Sequence, residues 1–343
     1  MEINMKNITK VGLSALAGSL AFTAVHAGDV SITGSMIASY TKKGGKTTTG
    51  NPLGMNKELT VTGSGELDNG VSVAYKQTIT NAMGYNDSEL VFTGVPMLGD
   101  ATLALTSTGS PIDAIDDKTP IAFEEASAAV GSLKDVSGGN GAYGIRYTLA
   151  DAFGSGVKVD AFYTPGTGDA AAEKGVAGVT GSQEDTYEAT LTGAVPMVDG
   201  LTFGVGYSHT DHHNDTPNTA SSQDSDEATA YLTYSIGGLS IGAQRGVDNT
   251  SGTGEVLYDT EYYGVSYAIS DNLSVSYNTI ESTKSDSTMG NDESATEQDF
   301  DSISLSYTSG GMTIGILDAD CSNCNYTKNV HESARAIQMT IAF

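Results

Sequence analysis

Gly264-Val265-Ser266-Tyr267-Ala268-Ile269-Ser270-Asp271-Asn272-Leu273-Ser274-Val275-Ser276-Tyr277-Asn278 is two strands joined by a tight turn. In the second arm Leu273, Val275 and Tyr277 share one side, and Ser274, Ser276 and Asn278 share the other. A period of two is the mark of a strand with unlike faces. Ser270-Asp271-Asn272 carries the residue chemistry of a short hairpin connection. The stretch 282–297 that follows is long, acidic and rich in Ser, Thr and Asn.

That alternation of short and long connections runs down the chain. Strands are expected at 29–41, 57–67, 71–80, 88–94, 101–107, 143–150, 157–164, 185–194, 201–210, 226–236, 239–247, 258–269, 273–281, 298–308, 312–319 and 333–343. Short turns include Asp68-Asn69-Gly70, Gly237-Gly238 and Ser309-Gly310-Gly311, whereas 165–184, 211–225 and 320–332 are long. The turn Val95-Pro96-Met97-Leu98-Gly99-Asp100 recurs as Val195-Pro196-Met197-Val198-Asp199-Gly200, a repeat of hairpin chemistry. A soluble sandwich has no reason to gather every long loop at one end. A transmembrane barrel does, with an even number of strands. The fold class expected is all-β, a 16-stranded antiparallel transmembrane β-barrel. In hydrocarbon an unpaired sheet edge costs several kcal/mol per group, so strand 16 should close on strand 1. Tyr40, Tyr163, Phe203 and Phe343 fall on the outward phase near strand ends and fit an aromatic girdle, in a chain without Trp.

Composition agrees. The 343 residues hold 42 Gly and 17 Tyr, only 17% charged residues, and a net charge of −26. Nucleic acid is excluded as a natural partner by that sign. The N-terminus reads as a signal peptide, residues 1–27, with Lys6 and Lys10 before an apolar run from Val11 to Val25 and a small-x-small site at Val25-His26-Ala27. Removing it takes away Lys6, Lys10 and Glu2 and leaves the balance one unit more negative. Residues 28–343 then form a single barrel domain.

The chain resembles the general porins of the Gram-negative outer membrane. The resemblance rests on Asp29-Val30-Ser31-Ile32-Thr33-Gly34, the hairpin Glu66-Leu67-Asp68-Asn69-Gly70-Val71-Ser72-Val73-Ala74-Tyr75, the long third loop and the terminal Phe343. It implies a homotrimer in outer-membrane lipid and lipopolysaccharide, each barrel with its own water-filled channel for small ions and hydrophilic solutes. It implies Phe343 as the signal read by the barrel-assembly machinery, and a third loop folded into the lumen. The family's Pro-Glu-Phe-Gly-Gly segment is missing here. Thr119-Pro120-Ile121-Ala122-Phe123-Glu124-Glu125 stands in its place.

The connection from Thr108 to Ala142 is the longest, and loops of such length are usually functional. Thr119 as N-cap and Pro120 at the first position predict a short helix over Ile121–Val130. Asp113, Asp116, Asp117, Glu124, Glu125 and Asp135 lie along the loop. Lys76, Arg146 and Lys158 fall on inward phases of nearby strands, because the lipid side would cost about 2–4 kcal/mol for each at the midplane. The expectation is a constriction with acids on the loop and bases on the wall, and a cation-selective pore because acids outnumber bases.

Other signals carry less. A local disulfide is expected between Cys321 and Cys324 outside the cytosol. His209-Thr210-Asp211-His212-His213-Asn214-Asp215 straddles a strand and a loop, so no metal site is assigned. The acidic loops, such as Asp224-Ser225-Asp226-Glu227 and Asp292-Glu293, have oxygen ligands for loose Ca2+ or Mg2+ binding at most. No cofactor and no catalytic constellation are expected. The rivals are a substrate-specific outer-membrane channel, kept open by inward Phe162, Tyr231 and Tyr262, and a plugged structural or adhesive surface barrel. An outer-membrane enzyme would need partners for His209 that strand phase does not supply.

Overall fold

The computed structural model describes residues 26–80, 85–107, 109–139, 143–152, 154–165, 183–213, 224–250, 256–286 and 296–343. Sixteen strands follow in order: β1 (His26–Gly45), β2 (Leu53–Glu66), β3 (Ser72–Ile79), β4 (Tyr85–Thr93), β5 (Thr102–Thr106), β6 (Gly144–Ala152), β7 (Val157–Thr164), β8 (Gln183–Ala194), β9 (Leu201–His213), β10 (Ser225–Ile236), β11 (Leu239–Thr250), β12 (Val256–Ser270), β13 (Leu273–Asp286), β14 (Thr296–Ser309), β15 (Met312–Ser322) and β16 (His331–Ala342). Each pairs antiparallel with its sequence neighbours, and β1 pairs with β16 to close the barrel. At the seam Gly34 N donates to Phe343 O at 2.9 Å and Phe343 N donates to Gly34 O at 3.0 Å. Every edge is thereby consumed, which is what a sheet in hydrocarbon requires. The leader expected at 1–27 lies outside the described residues except for His26 and Ala27, which open β1 opposite Glu66 and Gly65.

The two faces are inverted relative to a soluble protein. On one, Leu191, Val205, Leu232, Ile241, Val265, Ile303, Ile316 and Ile337 are exposed. On the other, Thr190, Ser208, Thr229, Gln244, Ser276, Asn278 and Ser302 are buried. An exposed apolar band is stable only against lipid, while polar side chains are buried here because protein covers them. Tyr40, Tyr187, Tyr207, Tyr263, Tyr267, Tyr277 and Phe343 all belong to the exposed apolar face. No helix among the described residues is long and apolar enough to cross a membrane.

Both copies of the repeated turn close alike. Leu98 N donates to Val95 O at 3.1 Å and Val198 N to Val195 O at 3.3 Å. Met97 and Met197 adopt left-handed φ of 85° and 72° and are fully exposed.

Candidate functional site

The connection between β5 and β6 does not stay near those strands. Its first turn, a 3-10 turn at Asp113–Ile115, lies over β9, where Ile112 and Ile115 come within about van der Waals reach of Gly206. Further on, Gln244 of β11 accepts from Lys118 N at 2.7 Å and donates to Ile115 O at 2.9 Å. Thr233 of β10 donates to Lys118 O at 3.1 Å, and Asn278 of β13 to Pro120 O at 3.2 Å. Ala122 N donates to Ser276 Oγ at 2.9 Å and Phe123 N to Ser304 Oγ of β14 at 3.1 Å. Gly131 N reaches Glu332 of β16 at 3.1 Å. All these partners lie on the polar phase of their strands, so the loop runs along that face from β8 to β16.

Small residues make its seat. Gly242 and Gly264 are cross-strand partners. A Cβ on Gly242 would lie 2.6 Å from Pro120 Cδ, and one on Gly264 would lie 2.9 Å from Pro120 O. The Phe123 ring covers Gly315 of β15 just as closely. Farther along, Ala126 and Val130 pack with Tyr262, Ile280, Phe300, Leu317, Ala319 and Ala334 into an apolar cluster on the polar face. Cys321 and Cys324, buried in the same cluster, form a disulfide with Cα atoms 5.6 Å apart, and Cys321 Sγ abuts Gly131.

The helix expected over Ile121–Val130 does not form. Only a 3-10 turn at Ala126–Ala128 is present. The reason is competition: Pro120 O and Phe123 N, which a helix capped at Thr119 would pair internally, are taken by Asn278 and Ser304, and the first-turn donor Ala122 N is taken by Ser276.

The loop acids cluster. Asp113 and Asp117 are exposed, while Asp116, Glu124, Glu125 and Asp135 are half-buried. Burial, reinforced by the neighbouring charges of Asp135, Asp117, Asp113 and Glu125, pushes the Asp116 carboxyl up to about 8. Burial likewise raises Asp135 to about 7, against the opposing hydrogen bond from Tyr262. Glu124 and Glu125 are raised by burial as well. Lys118 pairs with Asp117 at 3.0 Å and Lys134 with Asp248 of β11 at 3.0 Å.

Lys76, Arg146 and Lys158 stand on β3, β6 and β7, outside the arc that the loop covers. Arg146 bonds Glu89 of β4 at 2.6 Å, and Lys158 bonds Asp160 of its own strand at 2.6 Å. Thr148 adds a hydrogen bond to Asp160, and Lys76 sits opposite Glu89 in the ladder. The acidic run at 224–227 divides between faces. Asp226 meets Tyr207 and His209 on the apolar side, while Glu227 holds the loop on the other. His209 and Asp211 share that apolar phase. The side chains of His212 and His213, with Asn214, Asp215, Asp292 and Glu293, lie outside the described residues. Among the described residues no group of three His, Cys, Asp or Glu converges as a metal site.

A family model described as Gram-negative porin matches residues 12–335. The chain belongs to the Gram-negative porins. This porin is therefore a multi-pass β-barrel of the outer membrane that serves as a channel for passive diffusion. Among solved structures it is similar to OmpT, an outer membrane protein of Vibrio cholerae in its trimer form, with TM-score 0.65 and 11% identity over 92% of this chain and 100% of that one. An anion-selective porin from Comamonas acidovorans matches with TM-score 0.62 and 15% identity, over 92% and 99% of the two chains. Salmonella typhi OmpF, in complex with daunomycin, gives TM-score 0.62 and 10% identity over 92% and 98%. At such identities the likeness is of fold alone. A comparison with curated proteins gives no match.

Proposed function

We propose that this porin is a general diffusion channel, that its polar face lines a water-filled lumen, and that residues 109–139 fold into that lumen as the constriction. The carrying observation is the bonding of a loop between β5 and β6 to polar-phase side chains from β8 to β16. A segment on the outer side would have to cross the apolar band, where none of those side chains points.

The loop covers the β8–β16 side and meets β7 only at its root, where Gly139 lies against Thr164, so the passage lies between the loop and the wall that carries Lys76, Arg146 and Lys158. Asp113, Asp116, Asp117, Glu124 and Glu125 edge it on one side, and Lys76, Arg146 and Lys158 on the other. Opposed charges set a transverse field that orients dipolar solutes. Glu89 and Asp160 offset Arg146 and Lys158, so the unbalanced charge is acidic and the pore prefers cations. Diffusion of this kind needs no cofactor. The trimer form of the Vibrio cholerae neighbour favours three copies, each with its own channel. Lipopolysaccharide surrounds the trimer on this reading, and the barrel-assembly machinery reads Phe343.

Planar-bilayer recording tests it. The expected result is a steady open current closing in three equal steps, with a reversal potential in a salt gradient on the cation side. An anion-sided reversal potential overturns the charge assignment. Failure to pass steady current overturns the open channel in favour of a plugged surface barrel.

A further inference from the structure

We propose that Glu188 of β8, working beside Glu227 of β10, is a positioning residue that locks the constriction; this rests on the lumen reading above. One carboxylate ties both ends of the loop. Glu188 Oε2 accepts from Ser110 Oγ at 2.7 Å and from Ile112 N at 3.3 Å, and its Oε1 accepts from Gly139 N at 2.6 Å. Residues far apart in sequence are thereby drawn onto one side chain, and the segment between them becomes a closed ring.

The far end of the ring is shaped to receive carboxylates. Ser137 N and Gly138 N both donate to Glu227 Oε2, at 3.1 and 2.6 Å, directly before Gly139 N turns to Glu188. Three successive N–H groups thus form a small anion-binding nest divided between two glutamates. Glycine is required in it: Gly138 has φ of 55°, and a Cβ there would sit 2.5 Å from Glu188 Oε1. Glu188 is itself buried. The clamp lies at the root of the loop, and beside it Asp113 N donates to Ser110 Oγ at 3.2 Å. Its work is to keep the loop in one place while solutes pass.

An uncharged side chain at 188 should release the root. A bond to a charged acceptor is worth about a tenfold shift in such a closed-to-open equilibrium. Glu188→Gln and Glu188→Ala are to be compared with the wild-type porin in planar bilayers, with heat-modifiable gel mobility confirming that each barrel has closed. The expected result is folded barrels whose single open level breaks into flicker, and tryptic cleavage after Lys118 or Lys134 accelerated about tenfold. A Glu188→Gln porin that keeps the wild-type level and the wild-type rate of tryptic cleavage overturns the proposal. Wild-type barrels without current overturn the channel reading instead. The cleavage rates then still decide whether Glu188 holds the loop.

Discussion

Asp116 is half-buried among Asp113, Asp117, Glu125 and Asp135, and it holds its proton to about pH 8. Asp135 does so to about pH 7. At neutral pH the loop is therefore less negative than a count of its carboxylates suggests. Between pH 6 and pH 9 both groups ionise, so cation preference should grow across that window. Reversal potentials at the two ends of the range check this, and Asp116→Asn should flatten the change. Stability runs the opposite way. A carboxyl that binds its proton more tightly folded than unfolded favours the folded state at low pH and loses that contribution as pH rises from about 4 through 8. Asp116→Asn should accordingly make the loop more resistant to proteolysis at pH 9, by up to the equivalent of a few kcal/mol. Arg146 and Lys158 contribute differently. Their charges are tied to Glu89 and Asp160, so Glu89→Gln should move ion preference toward anions by freeing Arg146, an outcome readable in the same salt gradient.

The strands were legible, and so were the turns. Leu273 opens β13 and Leu239 opens β11 where the sequence places them. The loop-side ends run further than alternation suggests: β13 continues through Ser282, Thr283 and Lys284 to Asp286, and β11 to Thr250. Beyond the lipid no apolar partner is demanded, so the period-two signal fades while the backbone ladder persists. The loop was harder. Its length and its acids could be read, but its conformation depends on Ser276, Ser304, Gln244 and Asn278, which are far away in sequence. A local capping pattern at Thr119-Pro120 could not reveal that those side chains outcompete the helix. Glu188 and Glu227 carried a faint signal, as inward-phase carboxylates between Thr186 and Thr190 on β8 and before Thr229 on β10, in need of donors that Gly138-Gly139 supplies. Nothing local in the sequence calls for Gly206, Gly242, Gly264 and Gly315 inside strands, and the loop pressed against them is the missing reason. Gly264→Val should lift Pro120 from its seat, with overpacking of about 1–3 kcal/mol. The barrel should still close and resist heat on a gel, while single-channel conductance changes. Unchanged conductance would mean that the seat does not hold the loop.

At the scale of the molecule, inversion of the two faces and closure of the ring are one requirement. Lipid accepts the exposed Leu232, Ile241 and Ile337 but not a free edge, so β1 must meet β16. Phe343 thereby does structural work in the ladder as well as the recognition work that the family resemblance implies. The meeting of Gly34 with Phe343 also means that the wall has no natural beginning. A linker about as long as the stretch of β1 that runs back from Gly34 to His26 could join β16 to β1, and the chain could be reopened at Gly237-Gly238 with every ladder pair retained. Such a circular permutant would place Phe343 in mid-chain, its ring still beside Gly34. It would thus separate what Phe343 does for the finished cylinder from what it does as an assembly signal.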